Sequence, residues 1–263
     1  MALSLGLRPG VVSRGYGRRG GAPLWVRGDS DPDEAGDEPV LIAQRTGVPV
    51  RVDANRERGV RALLAQGVEL VISDDGLQRV QLPRALEICV LDGARRLGNG
   101  RMLPAGPLRE PASRLAAVDY VVVHGEGAPG EHRMRLEAAH ATRLDGSDER
   151  PAESLSETVL PIHAVAGIAR PRRFFDTLAA LGLKVVEHPF PDHHHYRPED
   201  FANMDEQGII VMTEKDAVKC RGFGLDNAWV LPVSAVLDEA LERAWMADLQ
   251  RIARKMTGNQ HEP

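Results

Sequence analysis

The chain has 263 residues, 43% of them hydrophobic, a formal net charge of -5 and two cysteines. That length and composition suit one large or two medium globular domains, and exclude a disordered chain or a disulfide framework. The acidic balance, without a basic run interleaved with aromatics, speaks against nucleic acid as a partner, and no apolar segment is long enough to span a bilayer.

The elements alternate along the chain. From Met1 to Gly28 there are five arginines and no acid, whereas Asp29 to Glu38 carries six acids. The basic opening suits phosphates or an anionic lipid surface; a solvated loop explains it as well. Strands are predicted at Pro9–Arg14, Val48–Asp53, Val68–Ser73, Leu86–Asp92 and Asp119–His124. Helices are predicted at Glu38–Thr46 and Arg56–Gln66, closed by Gly47 and Gly67, where a left-handed cap is favoured. This order predicts a mostly parallel sheet covered by helices. The polar stretch TRLDGSDERPAESLSET, residues 142–158, reads as a linker or exposed excursion. It divides a core domain, 1–141, from a smaller α/β domain, 159–263. The second domain is predicted to hold strands Leu160–Ile168, Lys184–His188, Ile209–Thr213 and Trp229–Val233 and a helix at Pro171–Leu181. Its last helix is marked by Leu237, Leu241, Trp245, Leu249, Ile252 and Met256 at helical spacing. Cys89 lies in an apolar run far from Cys220, which fits a reducing compartment, and there is no signal-peptide pattern.

Chemistry is expected at the C-terminal ends of the parallel strands. VELVISDDGLQR reads as a strand buried on both faces that ends in Asp74 and Asp75. Adjacent carboxylates need a cation or hydrogen-bond donors, so Mg²⁺ near transferring phosphates is one reading and an ordinary Asp-Gly turn the other. In SRGYG, Ser13 to Gly17, the glycines allow close backbone approach to a ligand or make a tight turn. LGNGRMLPAGPLREP, Leu97 to Pro111, is a long connection whose Arg101 and Arg109 suit an anion or a surface ion pair. FPDHHHYRPED sets three consecutive histidines after Asp192. They could ligate a metal, act as a general base or cap a helix, and no more than two could face one ion.

Together GDEPVLIAQRTGVPV, ISDDGLQ, LGNGRMLPAGPLREP, SRGYG and PFPDHH resemble the tetraacyldisaccharide 4′-kinase family, from about Leu5 to the last helix. The resemblance implies a P-loop-type α/β domain joined to a smaller α/β domain. It further implies transfer of phosphate from ATP, with Mg²⁺, to the 4′-hydroxyl of a lipid disaccharide 1-phosphate in lipid A assembly. The expected location is the cytoplasmic face of the inner membrane of a Gram-negative bacterium, as a peripheral protein without a stable protein partner. By match, Asp37 and His193 form the dyad that activates the sugar hydroxyl, and Asp74 and Asp75 serve Mg²⁺. Arg56, Gln78, Arg109 and Glu110 fall at substrate- or phosphate-binding positions. TEKDAVK, Thr213 to Lys219, matches the family too and reads only as a strand end.

Two departures stand out. No G-x-x-x-x-G-K-[ST] loop, the usual phosphate cradle, occurs in the 263 residues, and Arg79 follows DDGLQ where the family motif has histidine. The expectation is a kinase read from an internal methionine, or an inactive relative. On the first, the 263 residues alone bind ATP weakly and transfer no phosphate, whereas a chain extended upstream does both. Two other readings are a metal-dependent phosphoesterase built on Asp74, Asp75, Asp192 and the histidines, and a non-catalytic lipid-disaccharide binder.

Overall fold

The computed structural model describes residues 1–205 and 208–258. In chain order, the first elements are β1 (Pro9–Ser13), β2 (Leu24–Val26), α1 (Pro32–Ala35), α2 (Asp37–Thr46), β3 (Val50–Val52), α3 (Arg56–Ala65) and β4 (Leu70–Ser73). Next come β5 (Ile88–Asp92), β6 (Tyr120–His124), β7 (His132–Ala138), β8 (Ala141–Arg143) and β9 (Glu149–Arg150). The chain continues through β10 (Ile162–Ala166), α4 (Pro171–Ala180), β11 (Val185–Pro189), α5 (Ala202–Asp205) and β12 (Ile209–Thr213). It closes with α6 (Glu214–Cys220), β13 (Ala228–Leu231), β14 (Val233–Leu237) and α7 (Glu239–Gly258).

Two compact units interleave along the sequence. The larger comprises Gly10–Asp74 and Ala138–Ser234; the smaller comprises Met1–Pro9, Asp75–Glu137 and the described residues from Ala235.

In the larger unit a four-stranded sheet runs β2-β3-β1-β4. The β1 and β3 strands are parallel, with Val11 opposite Val50 and Ser13 opposite Val52, while β2 pairs antiparallel with β3. Every residue of β1 is buried, because its valines face helices on both sides. Val11, Val40, Val50 and Val52 pack on one face with Val218 of α6, and Val12 packs on the other with Leu63 and Val68. A six-stranded sheet, β11-β10-β12-β13-β8-β9, completes the unit; β11 to β13 are parallel and β8 joins antiparallel. Apolar side chains of β10 and β12 alternate between two cores, Ala164 and Val211 with Phe174 and Leu178 on one side, Val165 and Met212 with Phe201 and Cys220 on the other.

In the smaller unit β14, β7, β6 and β5 form a sheet in that order, parallel from β5 to β7. Tyr120 of β6 donates to Asp248 Oδ2 of α7 at 2.6 Å. Burial together with that carboxylate pushes the Tyr120 phenol up to about 12.

Three expectations change. The strand before Asp74 is not buried on both faces: β4 is an edge strand and Ile72 is 51% exposed. The doubly buried strand is β1. Residues 142–158 are not a free linker, since they carry most of β8 and all of β9, and Ala152 and Leu155 are buried in the core beside Trp229. The boundary between units accordingly does not fall there. The short β2 and the seven-residue β7 were not expected, and the predicted Trp229–Val233 strand is β13, followed after Pro232 by β14.

Candidate active site

The larger unit gathers one group of the expected residues at the C-terminal ends of its parallel strands. Gly36, at φ +93°, turns the chain into α2 so that Asp37 is the first helical residue; the backbones of Gly36 and Gly15 meet so closely that a Cβ on Gly36 would lie 3.2 Å from Gly15 Cα. Asp37 is 5% exposed. Its Oδ1 accepts from the Glu38 amide at 2.9 Å, and the helix N-terminus favours a negative charge there.

Its Oδ2 lies 3.0 Å from Nδ1 of His193. His193 has φ +57°, a left-handed backbone that is uncommon outside glycine and costs on the order of 1 kcal/mol or more. It is held there by its amide, which donates to Gly167 O at 3.2 Å. The three histidines diverge, each to its own aspartate: His194 Nε2 to Asp200 at 3.2 Å and His195 Nδ1 to Asp33 at 3.0 Å. They form no joint metal site. Among the described residues no three His, Cys, Asp or Glu side chains are arranged to hold a metal ion, so the two-metal phosphoesterase arrangement is not built.

Beneath the pair lies a buried network that the sequence reading missed. Asp216 of α6 is fully buried. It accepts from Thr213 Oγ1 at 2.6 Å, Gly167 N at 3.1 Å and Tyr196 Oη at 3.0 Å. Burial first, then the Asp216 charge, pushes the Tyr196 phenol far up, so it stays a donor. Lys219 Nζ stands 3.3 Å from Asp216 Oδ1 and 3.8 Å from Asp37 Oδ2. Lys215 Nζ reaches Glu38 at 3.1 Å, Asp192 at 3.5 Å and His193 Nε2 at 3.3 Å. Burial opposes the Lys215 charge, but the carboxylates of Glu38, Asp37 and Asp192 outweigh it and hold its pKa above the ordinary lysine value. These residues come from TEKDAVK. Thr and Asp three apart form a helix N-cap pattern, and lysines four apart share a helix face; those were the available signals.

Asp74 belongs to the same unit. Ser13 Oγ donates to Asp74 Oδ2 at 2.8 Å and accepts from the Gly15 amide at 3.3 Å, and the Tyr16 ring lies 5.4 Å from that of His193. SRGYG thus runs from Asp74 to the dyad. Arg56, 5% exposed, donates to the carbonyls of Asp53 at 2.8 Å and Asp74 at 3.3 Å. The remaining expected residues lie in the smaller unit. Arg109 is 3.5 Å from Asp75, Glu110 is 3.7 Å from Arg114, and Gln78 is exposed.

A cleft of about 470 Å³ in the larger unit is lined by Arg19, Asp33, His195, Arg197, Lys219 and Arg221, among others. It shares Asp33, His195 and Lys219 with a small niche lined by Asp37 and His193.

A half-buried histidine paired with a buried aspartate beside a polar cleft, at the ends of parallel strands, marks this as an α/β enzyme. The family profile described as tetraacyldisaccharide-1-P 4′-kinase matches residues 2–250. The chain is 49% identical over 250 residues to a tetraacyldisaccharide 4′-kinase of Alkalilimnicola ehrlichii, covering 95% of this chain and 75% of that one. It is 48% identical over 254 residues to that of Methylobacillus flagellatus, with the same coverage. Its fold matches the crystal structure of "apo" form LpxK from Aquifex aeolicus in complex with ATP. There the TM-score is 0.75 and the identity 29%, over 95% of this chain and 80% of that one. The chain belongs to the tetraacyldisaccharide 4′-kinase family and is a phosphotransferase.

Proposed function

We propose that this chain transfers the γ-phosphate of ATP to the 4′-hydroxyl of a tetraacyldisaccharide 1-phosphate, with Asp37 and His193 activating that hydroxyl. The observation that carries the reading is the 3.0 Å contact between His193 Nδ1 and the buried Asp37 carboxylate. A sugar hydroxyl is a poor nucleophile until its proton is taken, and an imidazole oriented by a carboxylate does this near neutral pH. The adjoining cleft of about 470 Å³ is within the usual range for a small-molecule site and supports docking of the acceptor head group there.

Asp74 and Asp75 offer oxygen-only donors at a strand end, a set that fits Mg²⁺, which binds one or two carboxylates and completes its shell with water and phosphate oxygens. When bound, that ion neutralises charge on the transferring phosphate. Arg56, through its bond to the Asp74 carbonyl, braces the strand end that carries the carboxylates. Arg109, beside Asp75 in the smaller unit, is suited to phosphate oxygens, and the family resemblance gives Gln78 and Glu110 substrate-binding roles. A lipid acceptor implies peripheral contact with the cytoplasmic face of a Gram-negative inner membrane, for which the arginine-rich opening is suited. No described helix is long and apolar enough to cross a membrane.

The test is label transfer from γ-labelled ATP to the lipid disaccharide 1-phosphate in detergent micelles with Mg²⁺, using the full-length gene product. Asp37→Ala and His193→Ala should each lower kcat by about 10²- to 10⁴-fold, and chelation of Mg²⁺ should stop transfer. Wild-type rates in both variants would overturn the assignment.

A further inference from the structure

His193 makes two contacts through its ring nitrogens, and together they determine where its proton sits. Nδ1 faces Asp37 Oδ2 at 3.0 Å and Nε2 faces Lys215 Nζ at 3.3 Å. An ammonium group has donors and no acceptor, and a neutral imidazole has one of each. The nitrogen that meets the ammonium is therefore the lone-pair nitrogen, and the nitrogen that meets the carboxylate carries the hydrogen. Both contacts are satisfied by one tautomer only.

From this we infer that Lys215 is a positioning residue of the kinase reaction: its ammonium, acting with the Asp37 carboxylate on the opposite nitrogen, biases His193 to the Nδ1–H tautomer, leaving the Nε2 lone pair as the base that receives the acceptor's proton. The inference rests on the Asp37–His193 reading above and deepens it.

Lys215 is well placed for this. It is the second residue of α6, whose start is fixed by the Thr213 cap, and its side chain is only 18% exposed. Glu38 and Asp192 hold the ammonium from either side, at 3.1 and 3.5 Å. The other groups around the ring leave the argument intact. Asp192 Oδ1 is 3.9 Å from Nε2, too far for a hydrogen bond. Lys219 approaches the carboxylate rather than a ring nitrogen, 3.8 Å from Asp37 Oδ2, and the Tyr16 ring packs tilted against the imidazole at 5.4 Å between centroids. In the reaction the acceptor hydroxyl takes the place of the ammonium at Nε2. Its O–H bond breaks as Nε2 gains the proton, its oxygen forms the bond to phosphorus, and ADP leaves. Lys215 remains paired with Glu38 and Asp192.

The experiment combines ¹⁵N NMR of ring-labelled histidine with steady-state kinetics, for the full-length protein, Lys215→Met and Lys215→Arg. At a pH where His193 is neutral, the wild type should show a protonated Nδ1 and a bare Nε2. Lys215→Met should shift His193 toward a mixture with the Nε2–H form and lower kcat by about tenfold or more with KM for ATP within about twofold, with a displaced pH profile. A factor of ten in kcat corresponds to about 1.4 kcal/mol. Lys215→Arg should restore the wild-type tautomer and most of kcat. A protonated Nε2 in the wild type, or a Met variant matching the wild type in both readouts, would overturn the inference. Protection of the other histidine signals in Lys215→Met separates a tautomer change from unfolding. If the wild-type protein transfers no phosphate while its spectra show the Nδ1–H form, the functional reading fails and the tautomer assignment stands.

Discussion

At the scale of single residues the molecule invests in buried carboxylates with dedicated donors. Asp53, at the end of β3, is fully buried and takes two hydrogen bonds from Arg58, at 2.7 and 2.8 Å, and one from the Asn55 amide at 2.8 Å. The Arg58 hydrogen bonds, against the penalty of burial, hold its carboxyl below the usual range. A carboxyl with a depressed folded-state pKa stabilises the fold above its unfolded pKa and loses that contribution as pH falls through the folded value. Asp53→Asn should therefore cost about 1–3 kcal/mol at neutral pH, and the gap in Tm from the wild type should close below about pH 4. Thermal melts across that range check it. Gly167 is a second sensitive position, because a Cβ there would fall 2.6 Å from Tyr196 Oη and 3.0 Å from Asp216 Oδ1. Gly167→Ala should destabilise by about 1–3 kcal/mol by overpacking and lower kcat through His193, whose amide it anchors; urea unfolding with kinetics would show both. The motifs holding Asp37, Asp74 and His193 were legible as motifs. Tyr196 and Asp216 sit in quoted stretches too, but their pairing was not legible, since nothing local marks a residue as the acceptor for donors 20 to 49 positions away.

At the scale of elements, α6 does the most for the site and was the least visible. It has seven residues, too few for a periodic signal, and its sequence EKDAVKC has little apolar patterning. It exists because Thr213 caps it, accepting from the Asp216 amide at 3.2 Å, and because Ala217, Val218 and Cys220 are buried. Thr213→Ala removes the cap and the Oγ1 donor to Asp216, so a loss of about 1–2 kcal/mol is expected, together with a fall in kcat as Lys215 and Lys219 lose their register. Denaturant titration and turnover at saturating ATP would measure the two effects. Strand β4 was over-read for a related reason. An apolar run before a carboxylate pair looks the same at a sheet centre and at a sheet edge, and only pairing tells them apart.

At the scale of the whole molecule, chain order and spatial order part company. Each compact unit is assembled from separated segments, and the larger one ties its two halves together through α2 and α6. Arg45 reaches Glu214 at 2.7 and 2.5 Å, and Val218 enters the core of Val40 and Val50. A fragment ending at residue 141 should thus keep the strands of the first sheet yet melt broadly and bind an apolar dye, because α2 would lose this cover; a sharp, cooperative transition in that fragment would contradict the expectation. Local alternation of apolar runs with capped helices made the α/β class readable, and an ordered set of short motifs made the family readable. Both are written in neighbouring residues. Bringing Asp37 to His193 across 156 positions, parting three consecutive histidines to three different aspartates, and setting two lysines around the dyad were decided by tertiary structure alone. Such contacts exist only after strand order and helix packing have closed long loops, and the free energy that closes them is spread over the buried core.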